Sequence, residues 1–334
     1  MTALGIAAVG AMTAVGEDAP GTVGSIFTEA EAFKRLAVAS REPLAGARTP
    51  IAAEVEGTDR LAALGAFVLK EATQEMVPGT EIGLVVCTSS DGITDEPDGE
   101  TRFLARLASD ACVLVDKRAS RVFFGGATAT VDALSFARQA LSSRDLAAVC
   151  LLGVDSLSTQ PRLGKLLREK SSQAERFVPG EAAAALLLTR RLGSDSLAIL
   201  AGIGASPSDT DEKPSNPAKN SISAIERAMS DAELSRAPIA ALVHDLPATQ
   251  AGDEELTWLY SGSILATPGF SVLAPSSSAG ETGAASGILS LVTLAFLFRK
   301  AEISGPGVCL FAAANVQRGA ALLMSPSKRK PART

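Results

Sequence analysis

A chain of 334 residues, 46% hydrophobic and 20% charged, has apolar surface for an extensive core and excludes wholesale disorder. Its net charge of −6 argues against the basic stripe that a polyanion-binding surface needs, so nucleic acid is not an expected partner. One histidine excludes any mechanism that uses two imidazoles and any multi-histidine metal site.

At about 150 residues per domain the length fits two domains or one large α/β unit. The first apolar run, Leu4 to Gly16, has no basic residues ahead of it and leads straight into Glu17 and Asp18. It therefore reads as an opening strand and not as a secretory leader. Strand-like runs and helical periods then alternate through Leu4–Val9, Thr58–Gln74 (a helix), Ile82–Cys87, Arg102–Leu107 and Arg121–Phe124. This alternation predicts a mostly parallel, layered sheet. In FFGGATATVDALSFARQAL a strand ends at Gly125 and Gly126 and a helix begins, its small apolar face formed by Ala129, Ala133, Phe136, Ala137 and Ala140. Two strands follow, ending at Val154 and Thr189, joined by a basic loop that closes on Phe177-Val178-Pro179-Gly180-Glu181.

The second half repeats this grammar. Pro207–Ser221 reads as a connecting loop, Ile222–Leu234 as a helix, Ile239–Val243 as a strand and Glu254–Tyr260 as a helix. Phe270–Leu273 leads through a Ser/Gly turn into the helix GETGAASGILSLVTLAFLF, and two closing strands end the domain. The apolar stretch Thr282–Phe298 falls short of the ~20 residues that span hydrocarbon, so it is expected to be a buried helix and no membrane partner is expected. Each half thus offers an Ala/Gly-rich helix followed by two apolar strands, the first carrying a cysteine, Cys150 or Cys309. The expected halves are residues 1–195 and 196–326, followed by a basic, solvated tail at 327–334. The four cysteines, Cys87, Cys112, Cys150 and Cys309, form no CxxC pair and read as free thiols of a cytoplasmic protein.

Several strings in this order resemble the β-ketoacyl synthase (3-oxoacyl-ACP synthase) branch of the thiolase superfamily: AAVGAMTAVG, LLGVDSL, FVPGEAAAALLL and GETGAASG. The resemblance spans nearly the whole chain and implies an α/β, thiolase-like layered α-β-α-β-α fold with two pseudo-duplicated halves. It also implies a homodimer formed edge to edge through Arg121–Phe124, and an acyl carrier or other protein as partner. Enzymes of this family condense acyl chains with one cysteine at a strand-helix elbow and two histidines. Here Gly126 stands at the cysteine position, and a glycine forms no thioester. Counting back from Gly252 and Asp253 puts Asp245 at the first histidine position, with His244 one residue early and turned away from the pocket by strand alternation. Glu281 takes the second histidine position, and the lysine that precedes this motif in the family has no counterpart in PSSSAG.

The expected reading is a degenerate synthase-like protein that does not condense and serves as a binding or accessory module for an acyl chain or a protein. Some synthase-like proteins accompany bacterial secretion effectors, which adds that setting. The alternative is an acyltransferase or thioester hydrolase whose rebuilt site uses Asp245 and Glu281. A weaker variant uses His244 and Asn315 with a displaced thiol. Each residue also has a bland reading: Glu281 as a helix-start carboxylate, Asp245 as a turn cap, His244 as a packed imidazole, the glycines as turn formers, and Glu181 as a structural hairpin residue. No cofactor and no metal are expected.

Overall fold

The computed structural model describes residues 3–38, 41–51, 55–90, 93–95, 97–143, 145–159, 162–163, 178–193, 195–206, 216–235, 237–261, 270–312 and 316–326. The first half runs β1 (Leu4–Thr13), α1 (Ala19–Phe27), β2 (Lys34–Val38), β3 (Arg41–Gly46), α2 (Gly57–Thr73), β4 (Glu81–Thr88), α3 (Gly99–Ala111), β5 (Leu114–Val115), β6 (Arg121–Phe124), α4 (Ala129–Ser143), β7 (Val149–Ser156) and β8 (Glu181–Thr189). The second half runs β9 (Ala198–Ala205), α5 (Pro217–Asp231), β10 (Ala241–His244), α6 (Gln250–Ser261), β11 (Ser271–Leu273), α7 (Ser276–Ala279), α8 (Ser286–Arg299), β12 (Gly307–Ala312) and β13 (Arg318–Met324).

The duplication inferred from the sequence is visible in the strand order. In the first half neighbouring strands run β1-β8-β7-β4-β6, and in the second β9-β13-β12-β10-β11. Corresponding pairs agree in sense. The first two in each series are antiparallel, and β4 with β7 and β6 matches β10 with β12 and β11 as parallel pairs. Leu4–Ile6 of β1 pairs with Ala198–Leu200 of β9 and joins the two sets into one sheet. A separate hairpin, β2 with β3, lies outside it.

Three apolar clusters divide the molecule into five layers. Residues of α4 (Ala133, Leu134, Ala137) and α8 (Ile288, Leu291, Val292) share the central cluster with inward-facing strand residues of both halves, including Val85, Leu151, Val243 and Cys309. Outside the first half, α2 and α3 bury Leu64 and Leu107 against Leu84, Val86 and Leu152. Outside the second, α5 and α6 bury Ile225 and Leu259 against Leu242, Val308 and Leu322. The inner strands are covered on both faces, which is why they read as continuous apolar runs and not as an alternation. Small residues set the spacing of the central helices. A Cβ at Gly287 would stand 2.2 Å from Thr130 Oγ1, so the starts of α8 and α4 are in direct contact.

Two expected elements differ. Residues 207–215 of the expected connecting loop lie outside the described residues, but Pro217–Ser221 are the first turn of α5. The side chain of Asn216 accepts from Ala218 N at 2.9 Å, and Pro217 occupies the first helical position, where no amide is needed. The expected central helix from Gly280 is broken: Glu281 forms an isolated bridge to Pro179, Gly283–Ala285 form a 3₁₀ turn, and α8 begins only at Ser286. Among the described residues no helix is long and apolar enough to cross a membrane. The basic tail at 327–334 and the closing Phe177 of the basic loop lie outside the described residues.

Candidate functional site

The strand-helix elbow is built where β6 gives way to α4. Gly125 holds φ +144°, a conformation that disfavours a side chain, and its N–H donates to Thr88 O at 3.4 Å. Gly126 is exposed, and a Cβ placed on it meets nothing within 4 Å. Space for a side chain therefore exists at the position expected to hold the nucleophile, and the sequence puts no thiol there. Cys87 and Cys150 are fully buried in strands, and burial pushes both thiols up to about 12; Cys309 is raised by burial as well, with the Asp245 charge adding to it. Cys112 is exposed but ends α3, and the carboxyl end of a helix gives a thiolate no favourable dipole.

The chain direction at the end of β10 separates His244, its last residue, from Asp245 just after it. Ala241 and Val243 point into the central core, Leu242 to the outer one. His244 follows Leu242 in this alternation. It is 7% exposed, its Nδ1 accepts from Leu246 N at 3.3 Å, and burial pushes its pKa down to about 4, with Glu255 pulling the other way. The imidazole is therefore neutral at physiological pH and lies on the outer side. Glu255 is itself held by Arg318 through two contacts of 2.8 Å and by the Ser221 hydroxyl.

Asp245 follows the last residue of β10. Its Oδ1 accepts from Ala312 N at 2.6 Å and its Oδ2 from Ser286 Oγ at 2.9 Å. Burial raises its pKa to about 7; the Ala312 and Ser286 hydrogen bonds oppose the rise and the Glu281 charge adds to it. Glu281 is fixed through its backbone, donating from N to Val178 O at 2.7 Å and accepting at O from Gly180 N at 2.8 Å. The structure thus brings Asp245, Glu281 and Ser286 into one electrostatic neighbourhood and leaves His244 on the opposite face of its strand. Asn315 lies outside the described residues. Trp258 is 60% exposed, whereas Phe311 is fully buried in the central core.

Two motif carboxylates act as struts. Glu181 is fully buried and takes the Arg60 guanidinium in a fork, Nε to Oε2 at 2.5 Å and Nη2 to Oε1 at 2.7 Å, with the Thr49 amide at 3.1 Å and the Ser156 hydroxyl at 2.7 Å. Burial alone would raise its pKa, but Arg60, Thr49 and Ser156 together hold it below the usual carboxylate value. Asp155 of LLGVDSL accepts from Ala284 N at 2.8 Å and pairs with Arg162, which pins the GETGAASG turn to the end of β7. Neither Arg60 nor Ser286 announces itself in the sequence: an arginine within a helical period looks solvated, and Ser286 meets Asp245 only across 41 residues of chain. Among the described residues no group of three His, Cys, Asp or Glu side chains could hold a metal ion.

No protein-family model matches the chain, and no curated protein sequence matches it. Solved structures do. The PfaC ketosynthase–chain length factor superposes with a TM-score of 0.79 at 14% identity over 98% of this chain and 43% of that one. The ketosynthase from module 6 of the Bacillus subtilis 168 bacillaene synthase gives 0.74 at 12% identity, covering 98% and 72%. The ishigamide ketosynthase/chain length factor gives 0.70 at 14% identity, covering 98% and 100%. The chain therefore spans less than half of the length of PfaC. At these identities the likeness establishes the fold: a mixed α/β, thiolase-like layered architecture of the ketosynthase type.

Proposed function

We propose that this chain is a non-condensing protein on a ketosynthase-type scaffold, acting as a binding or accessory module for an acyl group or a partner protein. The observation that carries the reading is the elbow. Gly126 occupies it without a thiol, the chain's one histidine turns to the outer face in its neutral form, and every buried cysteine lies inside a strand with a raised pKa. Condensation needs a covalent acyl-enzyme to receive the carbanion, and forming that carbanion by decarboxylation needs donors for the enolate oxygen; the elbow has no thiol, and the one imidazole faces outward. Two of the similar structures pair a ketosynthase with a chain length factor, which supports a role beside a condensing partner. The test is incubation of purified protein with a malonyl thioester and an acyl thioester. The reading expects no 3-oxoacyl product and carbon dioxide release at the buffer rate; sustained product formation overturns it.

Assembly through β6 belongs to the same proposal. Among the described residues this strand pairs with β4 on one side only, and Arg121 stacks over Phe123 at 5.3 Å and Phe136 at 6.0 Å beside that edge. A second copy, or a homologous condensing subunit, would add its own strand there. The two halves, 1–195 and 196–326, are proposed as one compact unit, and an acyl carrier protein as a transient partner.

A second reading is favoured by Asp245, whose pKa is raised to about 7 with Glu281 beside it. A carboxyl that titrates near neutrality is matched to general-base work on a hydroxyl or water. This reading keeps acyl transfer while condensation is absent.

A further inference from the structure

Resting on that second reading, we infer that Ser286 and Asp245 form a nucleophile-base dyad that accepts an acyl group from a thioester as a Ser286 ester. Three observations meet at this point. The Ser286 hydroxyl donates to Asp245 Oδ2 at 2.9 Å, within the range expected of a nucleophile and its base. The base is itself oriented, because Ala312 N–H holds Oδ1 at 2.6 Å and fixes the plane of the carboxylate. Ser286 is partly exposed and stands at the first position of the 14-residue helix α8, whose next residue, Gly287, abuts Ala127 and Thr130 of the α4 start.

The surroundings fit an acyl thioester. The start of α8 meets the start of α4 at Gly287, against Ala127 O and Thr130. The volume around Gly126 is open. Ser89, next to the Thr88 carbonyl that receives Gly125 N–H, is 8% exposed, and among the described residues its hydroxyl has no hydrogen-bond partner. The Ser286 hydroxyl also lies 2.8 Å from Gly283 O, so its proton has two acceptors, and the acylating state is the one directed at Asp245.

The step balances. Ser286 Oγ attacks the thioester carbonyl carbon as its proton passes to Asp245, the C–S bond breaks, and Asp245 returns the proton to the departing thiolate. The products are a free thiol and a Ser286 ester, which water hydrolyses to a carboxylic acid.

The experiment incubates the full chain with acetyl-pantetheine and follows intact-protein mass, tryptic mapping and thiol release. Expected are one acetyl group on the peptide that contains Ser286, resistance of that adduct to brief neutral hydroxylamine, and at least tenfold slower thiol release for Asp245→Asn. Ser286→Ala abolishes the adduct, and Ser286→Cys restores it in hydroxylamine-labile form, so a loss in the alanine variant cannot be put down to misfolding. No adduct on the wild type, an adduct confined to Cys112, or labelling unchanged by Ser286→Ala overturns the proposal. None of these outcomes touches the non-condensing reading, which is decided by the malonyl thioester assay.

Discussion

At the residue scale the molecule shows how environment assigns roles to like groups. Glu181 and Asp245 are both carboxylates withdrawn from water, yet Arg60 holds one ionised while burial and Glu281 push the other towards neutrality. Opposite signs of pH dependence follow. The Glu181 contribution to stability is present above the ordinary carboxylate range and is lost as pH falls through its lowered folded value. Removing its partner leaves a buried charge uncompensated, so Arg60→Met is expected to cost about 3–5 kcal/mol, read as a fall in the denaturation midpoint. For Asp245 the folded chain binds its proton more tightly than the unfolded chain, between the ordinary 3.8 and about 7. Its contribution therefore declines as pH rises through that window and levels off above it. Asp245→Asn, which keeps the acceptor for Ala312 N, is expected to gain melting temperature on the wild type as pH rises from about 4 to about 7, and to hold a constant lead above that. A difference that stays constant through that rise contradicts this assignment.

At the element scale the close meeting of α4 and α8 decides how the strand ends are presented. Gly287 has no room for a methyl group, because Thr130 Oγ1 and Ala127 O already fill that space. Gly287→Ala is expected to cost about 1–3 kcal/mol by overpacking, measured by chemical denaturation, and to disturb Ser286 next to it. The β6 edge makes a separate prediction: Arg121→Glu together with Phe123→Glu converts the assembled protein to monomer in sedimentation at unchanged far-ultraviolet circular dichroism. A wild-type protein that sediments as a monomer removes the proposed edge contact. What the chain discloses about its elements follows from packing. Strands buried on both faces, such as β4 and β7, stand out as apolar runs, and the Gly125-Gly126 elbow stands out because glycines meet a helix with small residues on one side. The α5 start is legible too, in Asn216-Pro217, once capping is weighed above the polar composition of the loop ahead of it. The break at Glu281–Ala285 is not, since the Asp155 and Val178 contacts that fold it back come from distant strands.

At the scale of the whole molecule, two copies of one strand order enclose a pair of central helices, and the site residues gather where the strands of that layer end. His244 ends β10 facing outward while Asp245 follows it, and the single histidine of the sequence limits the chemistry. Ser286 depends on a contact with Asp245 across 41 residues of the second half and is seen only in three dimensions. The similar ketosynthase structures share this architecture at 12–14% identity, so the fold persists where little of the sequence does. The most direct measurement is carbon dioxide release from a malonyl thioester by the purified chain, with and without an acyl thioester. The account predicts release at the rate of buffer alone in both cases, and release above that rate with a 3-oxoacyl thioester as product would contradict it.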